Sequence, residues 1–330
     1  MTLDLPLLSA GVAGLAVTLY VLLDGFDLGV GMLLLTTPDA TMRNQLVDTI
    51  APTWDGNETW LIMAGVVLLG AFPVAYGILL PAFYLPLLVM LMALGCRGVS
   101  FEFRVQPGAW TCVWDRAFAW GSGIAALCQG IVVGAALAGV NVENGRFAGS
   151  VLDLVRPYPL LTGVTLLFGY LTLGAAWVRF RTSGALKQHA SRLLHGILPI
   201  FAVLGILAIG FAPAQQAGVG LRWESHGLTF VLLTLAFLLV LILAYRAIHR
   251  PDDIAPFALT VIAFLIGIVG LVAVIFPNII PFRVSLWDAA APPDSQIFLL
   301  TGVAFVMPVV LGYSYFAYYV FRGKVEAGAY

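Results

Sequence analysis

Asp24 and Asp27 stand three residues apart inside the first oily stretch of the chain, in the run Asp24-Gly25-Phe26-Asp27-Leu28-Gly29-Val30-Gly31. Residues three apart on a helix share a face, so both carboxyls point the same way. An acid at the centre of a membrane helix costs about 2.5–3.5 kcal/mol on insertion scales. Carboxyls kept at such depth commonly mark proton or ion pathways. The structural alternative is that they bond nearby backbone or an arginine, while Gly25, Gly29 and Gly31 only allow tight packing.

A second polar cluster, Trp54-Asp55-Gly56-Asn57-Glu58-Thr59-Trp60, opens the next apolar stretch. Pro52 just ahead suits an early helix position. Asp55 or Asn57 can then be a plain N-cap, and an acid there suits the helix dipole. Yet Asp55, Asn57, Glu58 and Thr59 are more polar groups than capping requires, and they can line a wet entrance. Arg97, Glu102 and Arg104 close a third stretch. They can pair with the acids or with a lipid or quinone headgroup, although arginines so placed commonly snorkel to the interface.

The histidines are His189, His195, His226 and His249, all in expected loops or at expected helix ends. Haems buried in membrane redox proteins are held by His, sometimes with Met. Met63, Met90, Met92 and Met307 read as core packing, so no haem is expected on this chain alone. Cys96, Cys112 and Cys128 follow no zinc or haem-attachment spacing, and no metal site is expected.

The elements that must position these groups are membrane helices. Of 330 residues, 61% are hydrophobic and 10% charged, against about 25% charged in soluble domains. Mean hydropathy is +0.99. A net charge of −1 with no large basic patch leaves no case for nucleic acid. About 20 apolar residues cross a bilayer core. Nine stretches qualify: 7–35, 56–76, 78–98, 117–139, 159–181, 194–213, 226–248, 256–279 and 295–321. A tight hairpin is expected near residues 72–77. The expected fold is an all-α polytopic membrane protein, a single integral membrane domain over residues 1–330. With no Lys or Arg from Met1 to Pro6, the first stretch reads as a retained helix and not a secretory signal.

Nine spans place twelve of the sixteen Lys and Arg residues on one side, leaving Arg146, Arg156, Arg222 and Arg283 on the other. The positive-inside rule then puts the N-terminus outside and the C-terminus in the cytoplasm. Trp54, Trp60, Trp110, Trp114, Trp120 and Trp177 fall near the cytoplasmic interface, Trp223 and Trp287 near the outer one, as anchors. Gly25 with Gly29, and Gly130 with Gly134, are spaced for close helix packing. Pro81, Pro86, Pro199 and Pro308 are expected to kink their helices.

The two acidic motifs, in this order, together with the segment from Arg97 to Arg104, resemble subunit II of the cytochrome bd ubiquinol oxidase family, which includes cyanide-insensitive oxidases. The motifs cover about the first 105 residues, and length and span count match over the whole chain. The resemblance implies two four-helix bundles plus one peripheral helix, in the inner membrane of a bacterium. It implies a heterodimer with a subunit I that holds two b haems, one d haem and the quinol site, and reduces oxygen to water. A small accessory subunit is a further partner to consider, with quinol and oxygen as substrates of the complex. Subunit II typically binds no haem and supplies a scaffold and part of a cytoplasmic proton route.

Carried over by residue, Asp55 and Trp60 match positions at the mouth of the proton channel, and Asp24 matches an acid of a second route. Glu58 joins this proton path at a position that varies in the family. Asp27 matches an acid near a structural quinone that some members bind, and Arg97 lies close to it. A rival reading from another class is an ion-coupled secondary transporter, in which intramembrane acids beside glycines mark broken helices. The odd span count and the lack of a paired repeat weigh against it.

Overall fold

The computed structural model describes residues 4–104 and 110–326; Met1, where the N-terminal stretch opens, lies outside them. The chain starts with α1 (Leu5–Leu33), a short α2 (Ala40–Asp48), α3 (Trp54–Ala71), α4 (Pro73–Phe103) and α5 (Thr111–Ala138). It continues through α6 (Pro157–Arg181), α7 (Gly184–Phe211), a short α8 (Ala217–Ser225), α9 (Gly227–Ala247), α10 (Ala255–Ile275) and α11 (Pro293–Val320). Eight of these are long and apolar enough to cross a membrane, among the described residues. Besides the short α2 and α8, the helix outside that set is α3, the second expected span, whose 18 residues begin with the polar Asp55–Thr59 cluster.

The chain is not purely helical. Two small antiparallel pairs, β1 (Val142–Glu143) with β2 (Arg146–Phe147) and β3 (Asn278–Ile280) with β4 (Val284–Ser285), sit in the long connections. The first is closed by Asn144 and Gly145 at φ 50° and 72°. Such a two-residue turn needs positive φ at both positions, which Asn-Gly supplies.

α1 is exposed in part along its first half, but Asp24 to Leu33 are buried without interruption. A helix segment buried on every side must be surrounded by other helices, and α1 packs against α3, α5 and α6. Its Phe26, Leu28 and Val30 share the main core with Phe118 of α5 and Leu173 and Trp177 of α6. Gly29 permits the closest approach: a Cβ there would lie 1.9 Å from the backbone oxygen of Tyr170. The small-residue spacing therefore does act in packing, as such pairs do.

α3 and α4 meet at one residue, Phe72, buried with φ −133° and ψ 60°. The turn falls one residue before Pro73, which takes the first position of α4, and not across residues 73–77. The two helices run antiparallel, because Trp54 at the start of α3 lies 4.9 Å from Phe101 near the end of α4. Within α4 the backbone departs from helical angles at Phe83, between Pro81 and Pro86, the kink that interior prolines cause.

Candidate functional site

The buried half of α1 carries the centre of the site. Asp24 and Arg97, on α1 and α4, meet at 2.7 Å between Oδ1 and Nη1, with both side chains at zero exposure. The Trp54 ring lies 5.9 Å from the Arg97 guanidinium carbon. Arg97 is therefore not a snorkelling residue. Nor is Arg104, which bonds Asp115 of α5 at 2.8 Å while Arg43 holds the other Asp115 oxygen at 2.9 Å.

One turn on, Asp27 Oδ2 accepts a 2.7 Å hydrogen bond from the Asn57 side-chain amide. Asn57 Oδ1 in turn accepts a 2.9 Å bond from the Tyr318 hydroxyl of α11. Asn57 is thus not a cap; the residue before α3 is Thr53, which makes no side-chain capping bond. The amide ties α1, α3 and α11 together through one side chain. Asp24 Oδ2, Asp27 Oδ1 and the Arg97 Nε and Nη2 are buried without a hydrogen-bond partner among the described residues. Two carboxyls and one guanidinium so enclosed are costly to desolvate, which is a reason to look for a role beyond packing.

Asp55 lies apart from this pair. It is exposed in the first turn of α3 and lines an open groove of about 450 Å³ between the start of α3 and α11, with Pro52, Thr59, Tyr313 and Ser314. A water-sized space of about 10 Å³ beside it is lined by Thr53, Asn57 and Tyr318. The groove and the buried amide bridge therefore share a wall. Glu58 is half-buried and interacts electrostatically with Arg97, Asp24 and Asp55, so it stands between the surface and buried groups. Trp60 is 1% exposed and packs with Ala16 and Tyr20, so it is not an interfacial anchor. Trp177 is likewise buried, stacked 4.3 Å from Phe26.

Three further groups belong to the site and carry no motif that would announce them. Gln129 of α5 donates from Nε2 to the Tyr20 oxygen at 2.7 Å and accepts at Oε1 from the Tyr170 hydroxyl at 2.8 Å. Tyr20 precedes Asp24 by one turn on the same face and interacts with its carboxyl. Each stands in an apolar stretch of its helix, and only contacts between helices distant in sequence bring them together.

A second charged cluster lies elsewhere. Asp253, in the connection between α9 and α10, bonds Lys187 at 2.6 Å and Lys324 at 2.9 Å, with Arg179 at 3.7 Å. Partial burial would push its carboxyl up, but the bonds and charges of Lys187 and Lys324 outweigh that and hold it below the usual carboxylate range. The C-terminal segment is fixed there too: Val325 donates to the Arg181 carbonyl at 2.8 Å, and Gln45 donates to the Val325 carbonyl at 2.8 Å.

A polytopic helical membrane protein with an enclosed acid–arginine pair beside an open acidic groove is the class these features define. The pattern of the family described as cytochrome bd terminal oxidase subunit II matches residues 5–321. The chain belongs to that family, and so is a subunit of a terminal quinol oxidase, an oxidoreductase. It is 28% identical to "Cytochrome bd ubiquinol oxidase subunit 2" of Bacillus subtilis over 317 residues, covering 93% of each chain. It is 29% identical to "Cytochrome bd-I ubiquinol oxidase subunit 2" of Escherichia coli K12 over 358 residues, covering 94% of this chain and 91% of that one. Its fold is similar to that of a chain in the structure of bd oxidase from Geobacillus thermodenitrificans, with a TM-score of 0.78 at 13% identity, covering 97% of this chain and 99% of that one. The transporter reading is not favoured.

Proposed function

We propose that this chain supports a haem-bearing subunit I and carries part of the route by which cytoplasmic protons reach the oxygen chemistry of the complex. The complex oxidises two quinols with one oxygen molecule, yielding two quinones and two waters. Quinol releases its protons outside while water formation consumes protons from the cytoplasm, so charge separates without a pump. The observation that carries this reading is the shared wall between the open groove at Asp55 and the enclosed Asp27–Asn57–Tyr318 link. Asp55 collects protons at the groove, Trp60 closes the route to bulk water, and Glu58 and Asp24 extend it inward.

In this reading α3 completes nine spans, arranged as two four-helix bundles and a peripheral helix within one integral membrane domain. The protein lies in a bacterial inner membrane with its N-terminus outside. The charge distribution supports that orientation, since Arg43, Arg104, Arg179, Lys187 and Lys324 all fall on the side richer in basic residues. Two b haems and one d haem belong to subunit I and carry electrons from quinol to oxygen. The donors of this chain do not fit a haem in its core: His195, which lies inside α7 and not at its end as expected, bonds the Ser191 carbonyl and His249, and His226 bonds Ser225 at the start of α9. A structural quinone at Asp27 and Arg97 fits poorly too. Both side chains are fully enclosed, and a headgroup would have to part α1 from α3 and α4 to reach their unpartnered atoms.

The test replaces Asp55 with Asn and measures quinol-dependent oxygen uptake by the purified complex. Uptake falls while the complex remains assembled if Asp55 is the proton collector; unchanged turnover removes it from the route. A reduced-minus-oxidised spectrum of the complex and of the separated chain tests the placement of the haems.

A further inference from the structure

Asp24 Oδ1 is taken by Arg97, and its Oδ2 has no hydrogen-bond partner among the described residues. Tyr20 is 4% exposed and one turn away on the same face. Its oxygen accepts from Gln129 Nε2, which leaves its own O–H to donate elsewhere. The Asp24 carboxyl, one turn on along α1, interacts with Tyr20 and has an oxygen open to such a donor. Behind Tyr20 stands Gln129, and behind Gln129 stands Tyr170, fully buried and donating to Gln129 Oε1.

We propose that Tyr20, Gln129 and Tyr170 form a two-state hydrogen-bond chain that reads and sets the protonation of Asp24, making them positioning residues for the proton route. This rests on the reading of Asp24 as part of that route. An amide differs from a hydroxyl in having a fixed acceptor end and a fixed donor end, so the orientation of Gln129 decides the direction of every bond in the chain. In the observed state Tyr170 donates to Gln129, Gln129 donates to Tyr20, and Tyr20 is free to donate to a carboxylate. When Asp24 takes up a proton, its O–H donates to the Tyr20 oxygen. Tyr20 must then donate to Gln129, and the amide must turn over to present Oε1 to Tyr20 and Nε2 to Tyr170. The structure holds two bonds of the chain; donation from Tyr20 to Asp24 completes three in the first state, and the second state also has three along the same four groups, with the Tyr170 O–H released from Gln129. Two arrangements with the same bond count and opposite direction are what a switch element needs.

The place of the chain is built by packing. Gly25 leaves room for the Tyr170 ring, since a Cβ there would lie 2.6 Å from a ring carbon. Phe264 covers the other side of that ring, stacked at 5.8 Å. Tyr170 is therefore held where its hydroxyl meets Gln129, with the amide as the moving part.

The test is infrared difference spectroscopy of the whole complex, reduced minus oxidised, on D24N, Y20F, Y170F and the Y20F/Y170F double variant. Each tyrosine change removes one oxygen, and retained haem content and melting temperature verify folding. The expected result is a carboxyl C=O band lost in D24N, shifted upward in Y20F as the carboxyl loses its partner, and shifted less in Y170F. The double variant matches Y20F alone, because Tyr170 acts only through Tyr20. A D24N-sensitive band unmoved by Y20F and Y170F overturns the chain while leaving Asp24 in the route. Additive shifts in the double variant also overturn it. The lack of any D24N-sensitive band removes Asp24 from the route, and the switch falls with it.

Discussion

Arg97 and Asp24 are 73 residues apart in sequence and 2.7 Å apart in space, and neither side chain touches solvent. Breaking a buried ion pair from one side leaves an uncompensated charge, at a cost of about 3–5 kcal/mol. Arg97→Leu is therefore expected to lower the melting temperature of the complex more than the double change Arg97→Leu with Asp24→Leu, which leaves neither charge. A differential-scanning measurement on both variants decides this, and equal losses would mean that the pair is not isolated from water.

Tyr318→Phe removes one oxygen and one hydrogen bond to Asn57. It leaves the buried Asn57 Oδ1 without its donor, so the expected loss is about 1–3 kcal/mol. Asn57→Leu strands both Asp27 Oδ2 and the Tyr318 hydroxyl, so it should cost more, by about 1–3 kcal/mol for each orphaned group. Denaturation of the two variants side by side gives the order, and a reversed order would show the bridge to be loose.

Gly29→Ala places a methyl 1.9 Å from the Tyr170 carbonyl oxygen, which is backbone and cannot swing aside. Overpacking of this kind costs about 1–3 kcal/mol. Gly11→Ala, with open space around it, is the control and should be close to neutral. Thermal unfolding of both variants in the same detergent checks the contrast.

The Asp253 cluster makes a pH prediction. Lys187 and Lys324 hold its carboxyl below the ordinary range, so the folded state favours the ionised form. The stabilisation is present above the unfolded value of about 3.9 and is lost as pH falls through the lower folded value. Amide exchange at Val325, whose N–H bonds the Arg181 carbonyl, should be slow at neutral pH. Once intrinsic exchange rates are divided out, protection should fall below about pH 4, and Asp253→Asn should abolish the dependence.

Much of this architecture could be read from the chain, and the misses have physical causes. Long apolar runs announce helices such as α9 and α10 because the bilayer demands them. α7 begins at Gly184, ten residues before its apolar stretch, because Lys187, His189 and Arg192 extend the helix beyond the oily segment that hydropathy detects. α2 and α8 carry too few apolar residues to register by the same measure. Asp24, Asp27, Asp55 and Glu58 stand out by rarity in an oily sequence. Arg97 stands out as a charge that can pair with the acids, but which acid it meets is set by how α4 returns along α1. Gln129 and Tyr318 give no signal of their own: an isolated polar group within an apolar stretch has no periodicity to betray it.

The long separation between Asp24 and Arg97 also bears on how the protein is made. Seventy-three residues leave the ribosome between the two. At roughly 5–20 residues per second, the first helix waits about 4–15 s for its counterion. A nascent chain passes through that interval with an acid in its leading hydrophobic segment and no cation to answer it. Biogenesis therefore favours a translocon that retains the early helices until the fourth arrives, and a chain truncated before Arg97 should be handed to quality-control proteases and not to the lipid.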